Sequence, residues 1–436
     1  MSQTTAQICG LPHRPIAGVE SRDQGAGGDG RVLQTGVRQR WRLWSNLAPE
    51  REGTPMRDDV SRMPVIDVDS HWTEPRDLWT SRAPAKLKDR ALRVQKNAAG
   101  VEQWVIEDGQ VMGQVGYASI RPDASKTMAR IAFDTFEEVH PGAIEVAPRL
   151  AYMDEHGLTM QIVYPNVLGF AGNLVMNVKD AEHRAFCCTA YNDACGEMQA
   201  ESGGRLFPQA LLPIWDVGAA VKELERAQDD LGLTGFVITD FTEPWKLEPL
   251  SHPRWDPLWD AAQARGVPVN FHIGSGGGPI RLWGSYPAAR AFAALSTMAQ
   301  MGNLVCIVNL ISSGLLDRFP CLKFVSVESG IGWLPFMLES LDYQFVENGV
   351  DDLKLRPTEY FRRQIYGSYW FESNPSPAIE WIGEDNLMFE TDFPHATCLH
   401  PRVKEAKERS LAGLAPRIQR KLLYETAAKV YQLSLP

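Results

Sequence analysis

Four short apolar runs in this chain each finish on side chains that are costly to bury: Val65-Ile66-Asp67-Val68-Asp69-Ser70-His71, Val267-Pro268-Val269-Asn270-Phe271-His272, Leu322-Lys323-Phe324-Val325-Ser326-Val327-Glu328 and Leu387-Met388-Phe389-Glu390-Thr391-Asp392. Runs of this length, rich in β-branched and aromatic residues, read as buried strands. Asp69 and His71 are two apart, so an alternating strand points both to one side. A carboxylate and an imidazole brought together in an apolar interior call for a cation to receive them. In a barrel of parallel strands the carboxyl ends share one rim, where the active sites of that fold lie. The four runs therefore predict one divalent-metal site built from Asp69, His71, His272 and Asp392, with Glu328 close by.

The remaining chain keeps the same rhythm. Residues 159–164, 206–213, 234–239 and 365–371 read as further strands, and helical patterns fall at 180–198, 217–230 and 418–433. About eight strands alternating with helices predict an α/β fold, a distorted TIM (β/α)8 barrel of the metal-dependent hydrolase type. The expected organisation is a flexible extension over 1–62, poor in apolar periodicity, followed by a barrel domain over 63–436. An insertion at about 80–140 breaks the alternation and is expected to cover the rim.

Bulk properties narrow the partners. A formal charge of −10, with no basic stripe interleaved with aromatics, argues against nucleic acid. No uninterrupted apolar run approaches the ~18 residues of a membrane span, so no membrane partner is expected. Seven cysteines, an odd number that includes the adjacent Cys187 and Cys188, fit reduced thiols and a cytoplasmic location.

Each candidate has a chemical role. Asp392, beside a metal-bound water whose pKa the ion brings toward about 7, would serve as ligand and general base together. His395, three positions on, would orient Asp392 or bond substrate. Glu328 needs a counter-charge, because three carboxylates with two histidines exceed one divalent ion. A second cation bridged by Glu328, or a protonated Glu328, would balance it. Trp72, Glu74, Arg76 and Asn166 follow the first two strands, where rim loops choose substrates, and are the candidates for substrate binding. Trp255, Trp259 and Trp333 fit helical core positions, and Arg362 and Arg363 a solvated helix face. The glycine run 274–278 after His272 lacks the Lys-Ser/Thr ending of a phosphate loop and fits close backbone approach.

Read in order, Ile66-Asp67-Val68-Asp69-Ser70-His71, Met153-Asp154-Glu155-His156-Gly157, Phe271-His272-Ile273-Gly274, Phe319-Pro320-Cys321-Leu322-Lys323, Glu328-Ser329-Gly330-Ile331-Gly332-Trp333, Thr391-Asp392-Phe393-Pro394-His395 and Tyr424-Glu425-Thr426-Ala427-Ala428 resemble the amidohydrolase superfamily. The resemblance is to the amidohydrolase-related branch that includes aminocarboxymuconate semialdehyde decarboxylase and the nonoxidative aromatic-acid decarboxylases, and it runs from about Pro64 to the C-terminus. It implies a metal-dependent hydrolase or carboxy-lyase acting on a small organic acid, with zinc, or alternatively manganese or iron, as one or two ions. It places Asp69 and His71 on the paired first-strand ligands, His272 on the later histidine and Asp392 on the last-strand aspartate. Asp69 stands where many members carry histidine, and Glu328 where the decarboxylases usually carry one. Carboxylate-rich variants of the fold include dinuclear iron or manganese hydroxylases, so an oxygenase is the alternative enzyme. A homo-oligomer is expected, with a metal-stabilised subunit paired to a paralogue as the non-enzymatic alternative.

Overall fold

Strands too apolar to leave a face in water, each followed by a segment long enough to carry the chain back, pair in parallel. The computed structural model describes residues 60–126, 132–273 and 281–435. Its strands are β1 (Ile66–His71), β2 (Arg93–Lys96), β3 (Glu102–Ile106), β4 (Gln110–Gln114), β5 (Met160–Tyr164), β6 (Leu206–Pro208), β7 (Ala210–Leu211), β8 (Phe236–Val237), β9 (Val269–His272), β10 (Phe324–Val327), β11 (Ile365–Tyr369) and β12 (Leu387–Phe389). A three-stranded parallel sheet runs β1-β5-β6, and a six-stranded one β12-β11-β10-β9-β8-β7.

Two seams join these sheets into the expected TIM barrel. β6 and β7 are one extended segment broken at Gln209, whose N–H donates to Val163 O at 2.9 Å while the next N–H, of Ala210, donates to Gly235 O at 3.0 Å. At the other seam His71 N–H donates to Phe393 O at 2.7 Å and Asp392 N–H to Asp69 O at 2.9 Å, a parallel bridge between the end of β1 and the segment after β12. Helices Ala181–Glu201, Val217–Asp229 and Asp256–Arg265 cover the outside. Trp255 and Trp259 are fully buried, as their spacing predicts.

Several expected strands are shorter than the apolar runs that announced them. β8 keeps only Phe236–Val237 of 234–239, although Ile238 N–H still donates to Asn270 O at 3.0 Å. β10 stops at Val327 because the next residue, Glu328, adopts left-handed backbone, φ 55°, a conformation no strand continues through; Asp392, three residues past the end of β12, has φ 58°. The C-terminal helix is interrupted by a π turn at Lys421–Glu425. Trp333 is half-buried at a helix start. Arg362 and Arg363 are exposed on the helix Pro357–Gln364, as expected, and there Arg362 donates to the carbonyls of Ile382 and Trp381 and Arg363 to Leu316 O.

Between β1 and the helix Val146–His156 the chain forms an antiparallel sheet, β2-β3-β4, apart from the barrel strands. It is tied to loops at the carboxyl ends of the barrel: Gln110 Nε2 donates to Asn177 O, Asp180 N–H to Glu107 Oε1, and Asn166 Nδ2 to Tyr117 O. The sheet segment therefore borders the rim that carries the site. Residues 1–59 and the glycine run 274–278 lie outside the described residues. Within Ala288–Ser312 a window of 18 residues has the mean hydropathy, 1.5, of a membrane span, and 17% of that window is buried.

Candidate metal centre

Four strand ends converge. A register shift in β1 between Asp67 and Ser70 places a bulge at Asp69, the device by which strands re-aim a side chain. Asp69 Oδ1 lies 3.3 Å from His71 Nε2 and 3.4 Å from His272 Nε2, and Glu328 Oε2 lies 3.6 Å from His272 Nε2. Asp392 Oδ1 is 3.8 Å from His71 Nε2. Two overlapping quartets have ligand atoms within 4.8 Å of one another: Asp69, His71, His272 and Glu328, and His71, Glu328, Asp392 and His395. The structure thus brings together all five residues expected at the metal, together with His395.

The imidazoles are oriented to give up lone pairs. His71 Nδ1 faces Pro165 O at 3.3 Å and His272 Nδ1 faces Ile273 O at 3.1 Å. A carbonyl only accepts, so each Nδ1 is the donor and each Nε2 is turned inward, toward Asp69. The two Nε2 atoms are 3.0 Å apart, the spacing of ligands at right angles about 2.1 Å from one ion.

The carboxylates leave a debt of positive charge. Asp69 Oδ1 and Oδ2, Glu328 Oε2 and Glu390 Oε1 are buried without a hydrogen-bond partner. Among the described residues, only histidines lie within ion-pair distance of these acids. Burial, followed by repulsion from Asp392 and Asp69, pushes the Glu328 carboxyl far above its ordinary range, and burial with repulsion from Asp69 does the same to Glu390. Burial also raises Asp69, but attraction to His272 and His71 outweighs it and holds this carboxyl below the usual range. Buried carboxylate oxygens beside inward-turned imidazole nitrogens in a dry setting fit a divalent cation.

Asp392 is held firmly. Its Oδ1 meets His395 Nδ1 at 2.6 Å, and its Oδ2 accepts from Thr397 Oγ1 at 2.5 Å. The His395 ring stacks on His71 at 3.7 Å. Of the roles foreseen for His395, orienting Asp392 is the one the contacts show.

The four rim residues expected at the substrate are otherwise engaged. Arg76 is committed to Glu102, at 2.7 and 2.9 Å, and to Glu137 at 3.0 Å. Trp72 donates Nε1–H to Ile144 O at 2.8 Å. Glu74, fully buried, accepts from the N–H groups of Asn166 at 2.8 Å and Val167 at 3.1 Å, and burial lifts its carboxyl to about 7. These residues fasten the insertion and the loop after β5, and among the described residues no hydrogen bond or ion pair joins their side chains to the metal quartets.

Other residues escaped sequence reading. Phe170 places its ring 4.8 Å from that of His71, 5.2 Å from His272 and 4.7 Å from His395, and Tyr117 from the insertion stands 5.9 Å beyond it. Its flanking Gly169 and Gly172 both have positive φ, 89° and 69°, and a Cβ on Gly172 would meet Leu211 at 2.6 Å. Two glycines so close to one aromatic were the available signal. Glu390, two before Asp392, was legible from strand alternation. Asp67 was not: it accepts from Thr391 N at 2.7 Å, Thr391 Oγ1 at 2.5 Å and Gln161 Nε2 at 2.8 Å, clasping the first strand to the last. Arg149, fully buried, supports this seam by donating to the His71 and Gly142 carbonyls.

The family model described as "Amidohydrolase" matches residues 66–433. The chain belongs to the amidohydrolase family. Among relatives of this amidohydrolase, a gamma-resorcylate decarboxylase from Polaromonas sp. is 26% identical over 263 residues, 58% of this chain and 78% of that protein. One from Rhodococcus jostii is 26% identical over 273 residues, 58% of this chain and 78% of that protein. Of solved structures, an amidohydrolase from Mycobacterium avium subsp. paratuberculosis superposes with a TM-score of 0.64 at 23% identity, covering 84% of this chain and 98% of that one. A 5-carboxyvanillate decarboxylase from Sphingomonas paucimobilis gives 0.60 at 22% identity, covering 85% and 100%. A dihydroxybenzoic acid decarboxylase from Polaromonas sp., bound to manganese and 2-nitroresorcinol, gives 0.56 at 19% identity, covering 85% and 97%.

Proposed function

We propose that this amidohydrolase is a divalent-metal-dependent carboxy-lyase that removes CO2, without oxidation, from a small hydroxylated aromatic acid; hydrolysis of a small organic acid is the same site's other reaction. The observation that carries the reading is the buried convergence of His71 and His272 with the carboxylates of Asp69, Glu328 and Asp392, in two quartets whose ligand atoms lie within 4.8 Å of one another. The names of the relatives support the reaction class. Manganese in the Polaromonas structure supports manganese over zinc.

Asp69, His71, His272 and Asp392 would hold the ion, with Glu328 in reach. The ion would supply charge for the substrate carboxylate and for the anion that develops as its C–C bond breaks. The chain supplies the rest. Asp392, fixed between His395 and Thr397, would deliver a proton to the ring carbon as CO2 departs, and for hydrolysis it would instead take the proton of the attacking water. Phe170 offers a flat apolar wall beside the imidazoles, against which an aromatic substrate would stack. We assign this chemistry to residues 63–436, with 80–140 as the inserted segment, and a cytoplasmic location fits the buried free thiols.

The two quartets share His71 and Glu328, which favours a second reading: a dinuclear iron or manganese oxygenase with Glu328 between the ions. Metal analysis with a screen of hydroxybenzoic acids, in air and without oxygen, separates them. About one manganese or zinc per chain and oxygen-independent CO2 release are the expected results. Two iron atoms per chain with turnover only in air would overturn the carboxy-lyase.

A further inference from the structure

We infer that Glu74 is a positioning residue for the metal centre: through the one peptide group that joins Pro165 to Asn166, its buried carboxylate strengthens His71 as a ligand. The inference rests on the metal-site reading above, whichever reaction that site performs. A histidine that binds a metal through one ring nitrogen ordinarily donates its other N–H to a carboxylate or a carbonyl, which fixes the tautomer and raises the basicity of the ligating nitrogen. At His71 the partner is Pro165 O, 3.3 Å from Nδ1. A carbonyl is the weaker acceptor of the two, because it carries no net charge.

The same peptide group turns its other end to a carboxylate. Asn166 N–H, bonded to the Pro165 carbonyl carbon, donates to Glu74 Oε1 at 2.8 Å, and Val167 N–H donates to Glu74 Oε2 at 3.1 Å. Hydrogen bonds in series polarise one another, the more so where the local dielectric is low. Negative charge at Glu74 draws the amide proton and moves electron density onto Pro165 O, which then accepts more strongly from His71. The series of carboxylate, peptide and imidazole ends at His71 Nε2, 3.3 Å from Asp69 Oδ1. It is the carboxylate–histidine pairing of metal sites with one peptide group inserted.

The local chain explains how Glu74 reaches this place. Trp72 N–H donates to Tyr164 O at 3.0 Å and Thr73 N–H to Ala143 O at 2.9 Å, so the segment after β1 is held beside the end of β5. Pro75 follows and favours extended backbone at Glu74. The side chain is 1% exposed. Among the described residues no lysine or arginine offsets its charge, which backbone N–H groups alone support. The titratable groups that face it, Tyr191 and Cys195 of the helix Ala181–Glu201, are kept neutral by burial. Burying a charge is costly, and a glutamine would fasten the two loop amides for less. What only the ion supplies is the field along the peptide.

Calorimetric titration of manganese into the metal-free full chain tests this without any catalytic assay. Glu74→Gln keeps an oxygen for the loop amides and removes the charge. Its metal-free thermal midpoint should match the wild type, while its manganese affinity at pH 8 should fall about tenfold, the lower end of the range for outer partners of ligating histidines. Burial lifts the Glu74 carboxyl to about 7, so the wild-type advantage should vanish at pH 6, where both side chains are neutral. Equal affinities at pH 8, or a ratio unchanged at pH 6, would overturn the inference. The wild type supplies a reading that needs no variant: in metal-free protein the Asn166 N–H and His71 Nδ1–H resonances should shift together with a midpoint near pH 7. Asn166 moving alone would equally overturn it. Wild-type protein that takes up no manganese would overturn the metal-site reading, a failure distinct from a relay found missing in protein that does bind the ion.

Discussion

At the scale of single residues, backbone conformation and charge together decide what Asp392 does. It occupies left-handed backbone at φ 58°, which asparagine tolerates better than other residues with a Cβ. Asp392→Asn should therefore keep the fold while removing the proton carrier. A loss of about 10²–10⁴-fold in kcat is expected, the range for a general acid–base group, with thermal midpoint close to wild type. Undiminished turnover would remove Asp392 from the chemistry. A second residue-scale expectation concerns acid. His400 Nδ1 meets His156 Nε2 at 2.8 Å, with His140 and Lys126 also facing it, while Glu155, Lys404 and Glu405 lie about His156. Burial, then repulsion from His156, His140 and Lys126, lowers His400 from 6.5 to about 4. Between those values the unfolded chain binds a proton that the folded one refuses, so stability rises with pH through this window and is lost as pH falls from about 6.5 toward 4. Thermal midpoints of His400→Gln measured from pH 7 to pH 4 should decline less steeply than those of the wild type. An identical slope would show that His400 is not the group responsible.

Among elements, the seam between β1 and the segment after β12 matters most, because it sets the ligands of both ends against each other. Asp67 alone receives three buried donors there, from Thr391 and Gln161. Asp67→Ala would strand them in a dry interior at a cost of about 3 kcal/mol or more. Denaturant unfolding should show that loss, with weaker metal retention in the same variant; full stability would make the clasp incidental. This element was only half legible in the sequence. The apolar runs identified the strands, and alternation foretold Asp69 and His71 pointing together. The bulge at Asp69, the left-handed turns at Glu328 and Asp392, and the partnership of residues 67 and 391 could not be read, because each depends on a strand met only after the chain has closed. The same reason accounts for Arg76. Its place after the first ligands suggested substrate, whereas the inserted sheet supplies Glu102 to hold it.

For the whole molecule, the buried acids predict coupling between metal and stability. Four carboxyl groups, Asp69, Glu328, Glu390 and Asp392, share one interior with no lysine or arginine partner among the described residues. Chelation should lower the thermal midpoint and manganese restore it. Saturation at a hundredfold above Kd is worth about 2.7 kcal/mol. A midpoint indifferent to chelator, in protein shown to have been loaded, would mean the acids are neutralised by protons instead. By itself the sequence determined the class of fold, the four converging strand ends and the residue types able to bind a divalent ion, since strand length, apolar run and alternation are local properties. Only the tertiary structure decided that Glu328 Oε2 lies 3.6 Å from His272 Nε2, that the Phe170 ring stands beside the imidazoles, that Trp72, Glu74, Arg76 and Asn166 make contacts that fasten loops, and that the helix Ala288–Gln300 has no buried residue. Those are facts about which distant segments become neighbours, and burial, pairing and exposure acquire their values only once the barrel has closed.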